Sequence, residues 1–324
     1  MQLIPDDIDF KAWYEAPVNQ TKIRKASEFR AELADAMFAP RSAPRIVMGW
    51  TRTYGKFEFR SSEMTVWAGP NGQGKSMLTT QIALDLGMQD QKVCIASVEM
   101  KPHRTLQRMC AQAFGSNDIT PKFVGDFSSW TDGRLWLYDH VGSVDPHEMV
   151  GVVRYAAMEL GIQHFIIDNL QKCIVNEDDY NGQKAFCDKL FSIAQDTGIH
   201  VHLVHHTRKV NGIPGKQDIK GASSITDLVD NVFLIYRNAR KEAVLDGKEQ
   251  VKQAEYERIV LEPDVFMEIV KQRHGEFEGA FGLWKAKECP QFLESRADPP
   301  KRYKIAPGPA VPPHSETVDI EGAF

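Results

Sequence analysis

The sequence lacks the features that mark membrane, exported and repeat proteins. No apolar run approaches the roughly 20 residues that a membrane-spanning helix needs. The opening MQLIPDDIDF is acidic, whereas a secretory signal begins with basic residues. No repeat with a period of about 20–50 residues is visible, which argues against solenoids and propellers. We therefore expect a cytoplasmic globular protein with no membrane partner.

The sequence also contains few cysteines and no excess of positive charge. The five cysteines are scattered, odd in number and form no CxxC pair, which excludes a disulfide framework and a structural zinc site and favours reduced thiols. The net charge of −5 excludes a general polyanion binder. Any nucleic-acid contact must therefore come from a local basic surface.

The chain divides into three predicted parts. Residues 1–45 form an N-terminal arm, in which 1–20 are expected to be irregular and 22–38 are expected to form an amphipathic helix. Residues 46–294 form the main domain. From residue 295 to 324 the composition turns to proline, charge and small residues, which predicts a disordered acidic tail.

Short apolar runs alternate with helical patterns through the main domain. This alternation predicts an α/β fold, in which a mostly parallel central sheet is covered by helices on both faces. A C-terminal β-hairpin is expected to close the sheet. The predicted strands are 64–68, 92–98, 134–138, 164–168, 199–205, 231–236, 266–273 and 280–286. The clearest predicted helices are 76–88, one capped by Asp145, and 182–197, with an exposed helix or insertion at 237–258.

The strongest motif is GPNGQGKS at residues 69–76, which matches the phosphate-binding P-loop between a strand and a helix. Glycines let backbone N–H groups converge on phosphates, and the helix N-terminus adds positive potential. In this motif the lysine reaches the β- and γ-phosphates and the serine ligates Mg²⁺. We expect ATP or another NTP or dNTP to be bound here, by Gly69, Asn71, Gly72, Gly74, Lys75, Ser76 and Met77.

A P-loop also needs an acid at the end of a second buried strand. FIIDNLQ supplies Asp168 there, so that Ser76 and Asp168 are the predicted Mg²⁺ residues. Many P-loop ATPases place a glutamate directly after this aspartate, but here Asn169 follows it. The base that activates water must then come from elsewhere, and Glu99, at the end of the strand that follows the P-loop helix, is the candidate.

Four histidines crowd one predicted strand and its end, at positions 200, 202, 205 and 206. Alternation divides them between two faces, and no carboxylate or cysteine lies at ligand spacing, which favours ordinary packing over a metal cluster. His206 differs because it lies at the carboxyl end of the strand, where a polar side chain can sense the γ-phosphate.

In this order the motifs resemble those of the DnaB-type hexameric replicative helicases, superfamily 4 enzymes with a RecA-like P-loop core, particularly the helicase half of the short phage enzymes. The resemblance runs from about residue 64 to 287. It is carried by five segments: GPNGQGKS, SVEM, FIIDNLQ, LVHHTRK with the DIKGASSITDLVDNVFLIYRN that follows, and KQRHGEFEG.

The resemblance implies roles for particular residues. Glu99 takes the place of the catalytic glutamate and His206 that of the γ-phosphate sensor. Lys271 and Arg273 take the place of cationic fingers that reach the neighbouring subunit's nucleotide. A homo-hexameric ring with single-stranded DNA in its channel is implied. The loop at 207–222 then becomes a DNA-binding loop, through Arg208, Lys209, Lys216 and Lys220.

Two departures from the family concern partners. About sixty residues precede the first predicted strand, which is too few for the family's primase-docking domain, so we expect a primase to be separate or recruited differently. The acidic C-terminus ends in Phe324 and resembles the tails that dock other replication proteins, such as a primase or polymerase.

The helix at 22–38 matches the family's linker helix in position. If the gene is phage-borne, the location is the host cytoplasm.

Two other functions fit many of the same residues. A RecA-like recombinase shares the P-loop and a glutamate at the position of Glu99, and forms filaments on DNA. A regulatory ATPase would remodel protein partners and ignore DNA. The KQR segment and the Leu170-Gln171 pair after Asp168 favour the helicase.

Overall fold

The computed structural model describes residues 2–3, 8–15, 25–38, 45–174, 179–208, 212–219 and 222–305. These residues form one ten-stranded sheet in the order β1-β4-β3-β5-β6-β2-β7-β8-β9-β10. The strands are β1 (Gln2–Leu3), β2 (Met64–Gly69), β3 (Val93–Ser97), β4 (Leu135–Leu137), β5 (His164–Asp168), β6 (His200–His206), β7 (Asn231–Arg237), β8 (Val265–Gln272), β9 (Gly279–Lys285) and β10 (Phe292–Leu293).

The sheet is parallel from β1 to β7 and antiparallel from β7 to β10. The predicted mostly parallel sheet with a closing hairpin is therefore confirmed. The described α-helices are α1 (Phe10–Glu15), α2 (Arg30–Phe38), α3 (Lys75–Gly87), α4 (Pro102–Phe114), α5 (Pro121–Thr131), α6 (Pro146–Met158), α7 (Tyr180–Thr197), α8 (Ala222–Leu228), α9 (Ala239–Leu245) and α10 (Gln253–Ile259). None of these helices is long and apolar enough to cross a membrane.

Two hydrophobic cores lie on the two faces of the sheet. Strand β5 shows the division, since Phe165 and Ile167 belong to one core and Ile166 to the other. Alternate side chains of a strand point to opposite faces, so an entirely apolar strand needs cover on both. Helices α1, α6, α7 and α8 contribute to the first core, and α3, α4 and α5 to the second. The predicted helices on both faces are thus confirmed.

Local signals explain where the helices begin and end. The carboxylate of Asp145 accepts hydrogen bonds from the backbone N–H groups of His147 (2.9 Å) and Glu148 (3.3 Å), so it caps α6 as predicted. Glu148 does not complete a capping box, because its carboxylate accepts from the Tyr138 hydroxyl instead. Helix α7 ends at Gly198, whose φ of +79° suits glycine.

The N-terminal arm is more regular than predicted. Its first residues add β1 to the edge of the sheet, and α1 packs on α6 through the buried Phe10. A side chain at Gly151 would collide with the Phe10 carbonyl, so this glycine permits the close approach. Within the predicted helix at 22–38, residues 26–29 form a 3₁₀ turn that leads into α2, and residues 22–24 lie outside the described part.

Residues 295–305, which were predicted to belong to the tail, pack on the main domain up to Ile305. Residues 290–305, which we call the C-terminal segment, cross α3 and bind its buried Asp85 carboxylate. Asp85 accepts from Lys301 Nζ at 2.6 Å and from the Tyr303 hydroxyl at 2.9 Å. Sequence reasoning missed this packing because few apolar residues carry it. The rest of the predicted tail, 306–324, lies outside the described residues.

Candidate nucleotide-binding site

The P-loop has the strand–loop–helix geometry that the motif predicts. Strand β2 ends at Gly69 and α3 begins at Lys75. Gly74 has a φ of +94°, and a Cβ there would lie 2.8 Å from the Phe292 ring, so only glycine fits. A Cβ at Gly69 would collide with the Ile235 carbonyl of the neighbouring strand. Gly69 and Gly74 are therefore required by packing as well as by the approach of a phosphate.

Lys75 points into the loop. Its Nζ donates to the carbonyls of Gly69 and Pro70, both at 2.8 Å, and lies 3.1 Å from His206 Nδ1. Burial lowers the pKa of Lys75 to about 8, against the opposing effect of the Asp168 and Glu99 carboxylates. A cation that is largely shielded from water will exchange loop carbonyls for phosphate oxygens readily, because these carry the compensating charge.

Ser76 and Asp168 come together as predicted. Their side chains are hydrogen-bonded, which lowers the pKa of Asp168, but burial raises that pKa more strongly. Hydroxyl and carboxylate oxygens are hard donors of the kind that Mg²⁺ prefers, and a cation would offset the burial of the carboxylate. The two residues therefore fit Mg²⁺ held jointly with a triphosphate.

Glu99 and His206 are joined through the residue that follows Asp168. Asn169 Nδ2 donates to Glu99 Oε1 at 2.7 Å and lies 2.9 Å from His206 Nε2. Glu99 is exposed in the turn after β3, whereas Asn169 is buried. With the contact between His206 and Lys75, these side chains form a continuous chain from the P-loop to the predicted base.

The P-loop opens on a cavity of about 470 Å³. Larger concave surfaces of about 820 and 840 Å³ lie elsewhere but contain no phosphate-binding loop. All the predicted nucleotide residues except Gly69 line the P-loop cavity, together with Glu99 and His206: Asn71, Gly72, Gly74, Lys75, Ser76, Met77 and Asp168.

One lining residue was missed by sequence reasoning. Arg108 lies on α4 and lines the cavity. Burial lowers its pKa, and the charge of Asp168 partly offsets that effect. Its Nη2 contacts Met100 Sδ at 3.4 Å, while Nη1 is buried without a hydrogen-bond partner in the described structure. The signal in the sequence was a basic residue nine positions after Glu99, but α4 itself had not been predicted.

Lys271 and Arg273 do not approach the P-loop of their own chain. Gln272 pairs with Asn231 at the start of β7, which places both cations at the amino end of the parallel strands. The P-loop is at the carboxyl end. Lys271 Nζ donates to the carbonyls of Thr226 (2.6 Å), Asp227 (3.2 Å) and Val229 (2.7 Å).

Arg273 is also engaged within the chain. Its Nε pairs with the buried Asp230 at 3.1 Å and its Nη2 donates to the Leu228 carbonyl at 3.1 Å. Its guanidinium lies over the Phe191 ring. Neither predicted finger thus reaches its own nucleotide site, and any nucleotide they contact must belong to another copy.

The predicted DNA-binding loop begins directly after His206. A bridge between Thr207 and Ile219 closes its base. Arg208 is exposed and its Nη2 donates to the Tyr180 hydroxyl at 3.3 Å, and Lys216 is half-buried. The other two predicted DNA-binding residues, Lys209 and Lys220, lie outside the described part of the chain.

The fold and the P-loop together define a P-loop NTPase core of the RecA type. A family model described as an AAA domain matches residues 25–212, more than half of the chain. The chain therefore belongs to the AAA domain family.

Solved structures share the fold at low sequence identity. One, a DnaB-like replicative helicase described with its interactions with primase, has a TM-score of 0.63 and 17% identity, covering 84% of this chain and 68% of that chain. The ATPase domain of G40P has a TM-score of 0.63 and 16% identity, covering 82% of this chain and 97% of that chain. The predicted RecA-like α/β fold is thus confirmed.

Proposed function

We propose that this chain is an NTP-driven, ring-shaped replicative DNA helicase that translocates on single-stranded DNA and unwinds duplex at the fork. The observation that carries the proposal is the chain of contacts from Lys75 to His206, directly before a basic loop. Such a connection makes the affinity for DNA depend on which nucleotide is bound. By likeness to DnaB-type helicases the direction is 5′ to 3′.

The P-loop residues bind the triphosphate of ATP or a related nucleotide. Backbone N–H groups from Gly69 to Met77 surround the phosphates, and Lys75 moves from the loop carbonyls to the β- and γ-phosphates. Ser76 and Asp168 would hold Mg²⁺, which supplies charge neutralisation at the phosphates. Arg108 adds a further cation in the cavity.

Glu99 accepts a proton from the attacking water. Its carboxylate is exposed to the cavity, and no other carboxylate except Asp168 lines that cavity among the described residues. Asp168 is buried and bonded to Ser76, which leaves Glu99 as the general base.

His206 reports the γ-phosphate to the DNA-binding loop. Its ring contacts Lys75, and Thr207, the next residue, donates its backbone N–H to the Gly69 carbonyl at 3.2 Å. A displacement of the P-loop would therefore move the base of the DNA-binding loop. Arg208, Lys209, Lys216 and Lys220 would contact DNA phosphates without sequence preference.

Lys271 and Arg273 act on the nucleotide of a neighbouring subunit. They lie at the opposite end of the sheet from their own P-loop, as a head-to-tail ring requires. Hydrolysis then depends on the neighbour, because the cations stabilise the transition state from across the interface.

The N-terminal helix supplies a second contact between subunits. On α2, Leu33, Met37 and Phe38 are exposed, and the first two are spaced to share one helix face. We assign this face to a second copy of the chain, as in a linker helix. The proposed domains are then the arm to residue 45, the ATPase domain from 46 to 305, and a tail that recruits a primase, polymerase or other replisome protein.

The test is Mg²⁺-dependent ATP hydrolysis with and without single-stranded DNA. We expect DNA to stimulate the wild type strongly, and both Lys75→Ala and Arg273→Ala to be inactive alone. When these two variants are mixed, about one interface in four combines an intact P-loop with an intact arginine, and activity should return. A mixture of Lys75→Ala and Ser76→Ala, which damage the same site, is the matched control and should stay inactive.

Other results identify the competing functions. Hydrolysis that ignores both DNA and Arg273 would point to a regulatory ATPase. Filaments on DNA in electron micrographs, in place of closed rings, would point to a RecA-like recombinase. Substantial hydrolysis by Lys75→Ala would contradict the nucleotide site itself.

A further inference from the structure

Asn169 occupies the position between the predicted base and the predicted sensor. Its side chain is only 1% exposed, and a single amide nitrogen faces both Glu99 Oε1 at 2.7 Å and His206 Nε2 at 2.9 Å. Buried amides are usually placed by their hydrogen bonds. These two partners therefore define what the side chain does.

The chemistry of the partners fixes where the protons lie. A carboxylate only accepts, so the amide group that faces Glu99 must be the NH₂. Its second hydrogen points to His206 Nε2, which must then carry the lone pair. Neutral His206 consequently has its proton on Nδ1.

This tautomer produces two donors that face each other. His206 Nδ1–H lies 3.1 Å from the Lys75 Nζ, which is itself a donor. The repulsion between these two donors is relieved when an oxygen that accepts a hydrogen bond from each of them lies between them. The γ-phosphate carries oxygens of this kind, and the P-loop brings it to this place.

We propose that Asn169 is a positioning residue that couples the γ-phosphate sensor to the general base. It orients His206 with Nδ1–H towards the γ-phosphate and holds the Glu99 carboxylate with the same amide group. The inference rests on the proposed function, since it concerns the same hydrolytic site. The inference goes beyond the proposed function because it makes the activation of water by Glu99 dependent on the sensor, His206.

The coupling extends to DNA through the chain itself. His206 is followed by Thr207, at the closed base of the DNA-binding loop. A shift of that loop moves the imidazole, the imidazole moves the amide, and the amide moves Glu99. DNA stimulation of hydrolysis then passes through Asn169.

The experiment compares Asn169→Leu with a matched change at Asn231. Asn231 is equally buried, and its Nδ2 likewise donates to a glutamate, Glu63 (2.8 Å), and to Thr65 Oγ1 (3.2 Å), but at the other end of the sheet. Leucine has the shape of asparagine without its hydrogen bonds. Asn169→Asp, which cannot donate to either partner, is the second test variant.

We expect both Asn169 variants to lower turnover at saturating ATP by about 10- to 100-fold, as loss of a supporting hydrogen bond does. Affinity for a fluorescent ATP analogue should stay within about threefold of wild type. The residual hydrolysis should no longer respond to DNA. In a Glu99→Gln background, Asn169→Leu should have no further effect, because the base through which it acts is gone. Asn231→Leu, if it lowers thermal stability, should keep wild-type turnover per folded molecule and its DNA response.

Wild-type turnover or preserved DNA stimulation in either folded Asn169 variant would overturn this inference and leave the proposed function standing. Additive losses in the Glu99→Gln background would do the same, since they would show an independent role. If the wild-type protein shows no DNA-stimulated hydrolysis, the proposed function fails first and the inference fails with it.

Discussion

The Glu99 carboxylate is exposed in the turn after β3 and receives a hydrogen bond from Asn169. Replacement by glutamine keeps the size of the side chain and removes its ability to take a proton. We expect Glu99→Gln to lower single-turnover hydrolysis by about 10²- to 10⁴-fold while nucleotide binding persists.

The control for this prediction is Glu257→Gln on α10, whose exposed side chain accepts a hydrogen bond from Gln253. It should hydrolyse ATP like wild type. Near-normal hydrolysis by Glu99→Gln would show that another group activates the water.

At the scale of elements, the C-terminal segment holds the P-loop helix in place. The Phe292 ring lies against Gly74, and its backbone N–H and carbonyl both bond to the Gln81 side chain on α3. Trp50 Nε1 donates to the same carbonyl at 3.0 Å. The segment therefore supports the loop from behind while the open side receives the nucleotide.

Phe292→Ala tests this support. Loss of a fully buried phenylalanine should lower the free energy of unfolding by about 3–5 kcal/mol, measured by chemical denaturation. It should also weaken nucleotide binding, because the Gly74 turn loses its backing. Phe127→Ala on α5 removes a buried ring that is not in contact with the P-loop and should cost similar stability with unchanged nucleotide affinity. Equal nucleotide affinity in both variants would refute the role of Phe292.

At the scale of the whole molecule, three buried imidazoles lie near the amino ends of two adjacent strands, β5 and β6. His164 Nδ1 lies 3.1 Å from His202 Nε2, and His200 Nε2 lies 2.8 Å from Thr65 Oγ1. Burial lowers the pKa of His200 to about 4 and that of His164 and His202 well below the usual range. They bond to each other and to neighbouring polar groups, as the sequence pattern favoured.

These histidines should make the fold sensitive to acid. Above a pH of about 6.5 they are neutral in both the folded and the unfolded chain and have no effect on pH dependence. Below it the unfolded chain binds protons that the folded chain does not, so stability falls as the pH drops. For His200 alone the loss approaches about 3 kcal/mol at pH 4.

Denaturation between pH 7.5 and 5 measures this effect. His200→Gln should reduce the slope of stability against pH by up to about one proton. An unchanged slope in His200→Gln would show that this histidine is protonated equally in both states.

Short-range patterns were sufficient for the P-loop and for the central strands. The P-loop is specified by eight consecutive residues, and its flanking strand and helix follow from local hydrophobic pattern. Asp145 and Gly198 likewise act on the ends of their own helices. Helices α4 and α5 were not predicted, although polar and apolar residues recur with helical spacing along both. Which face of the sheet they cover is decided by tertiary packing.

The sequence by itself determined the fold class, the phosphate-binding loop and the identity of Ser76, Asp168, Glu99 and His206 as candidates, because those signals lie in short segments. Only the tertiary structure decided how they are joined. Asn169 links Glu99 to His206, Arg108 enters the cavity, and Phe292 backs the P-loop, although tens to hundreds of residues separate the members of each contact. Lys271 and Arg273 were recognised as cations, but their distance from their own P-loop follows from the antiparallel pairing of β8 with β7, which places the end of β8 at the amino ends of the parallel strands. Such relations depend on which strands are neighbours, and no local pattern encodes that order.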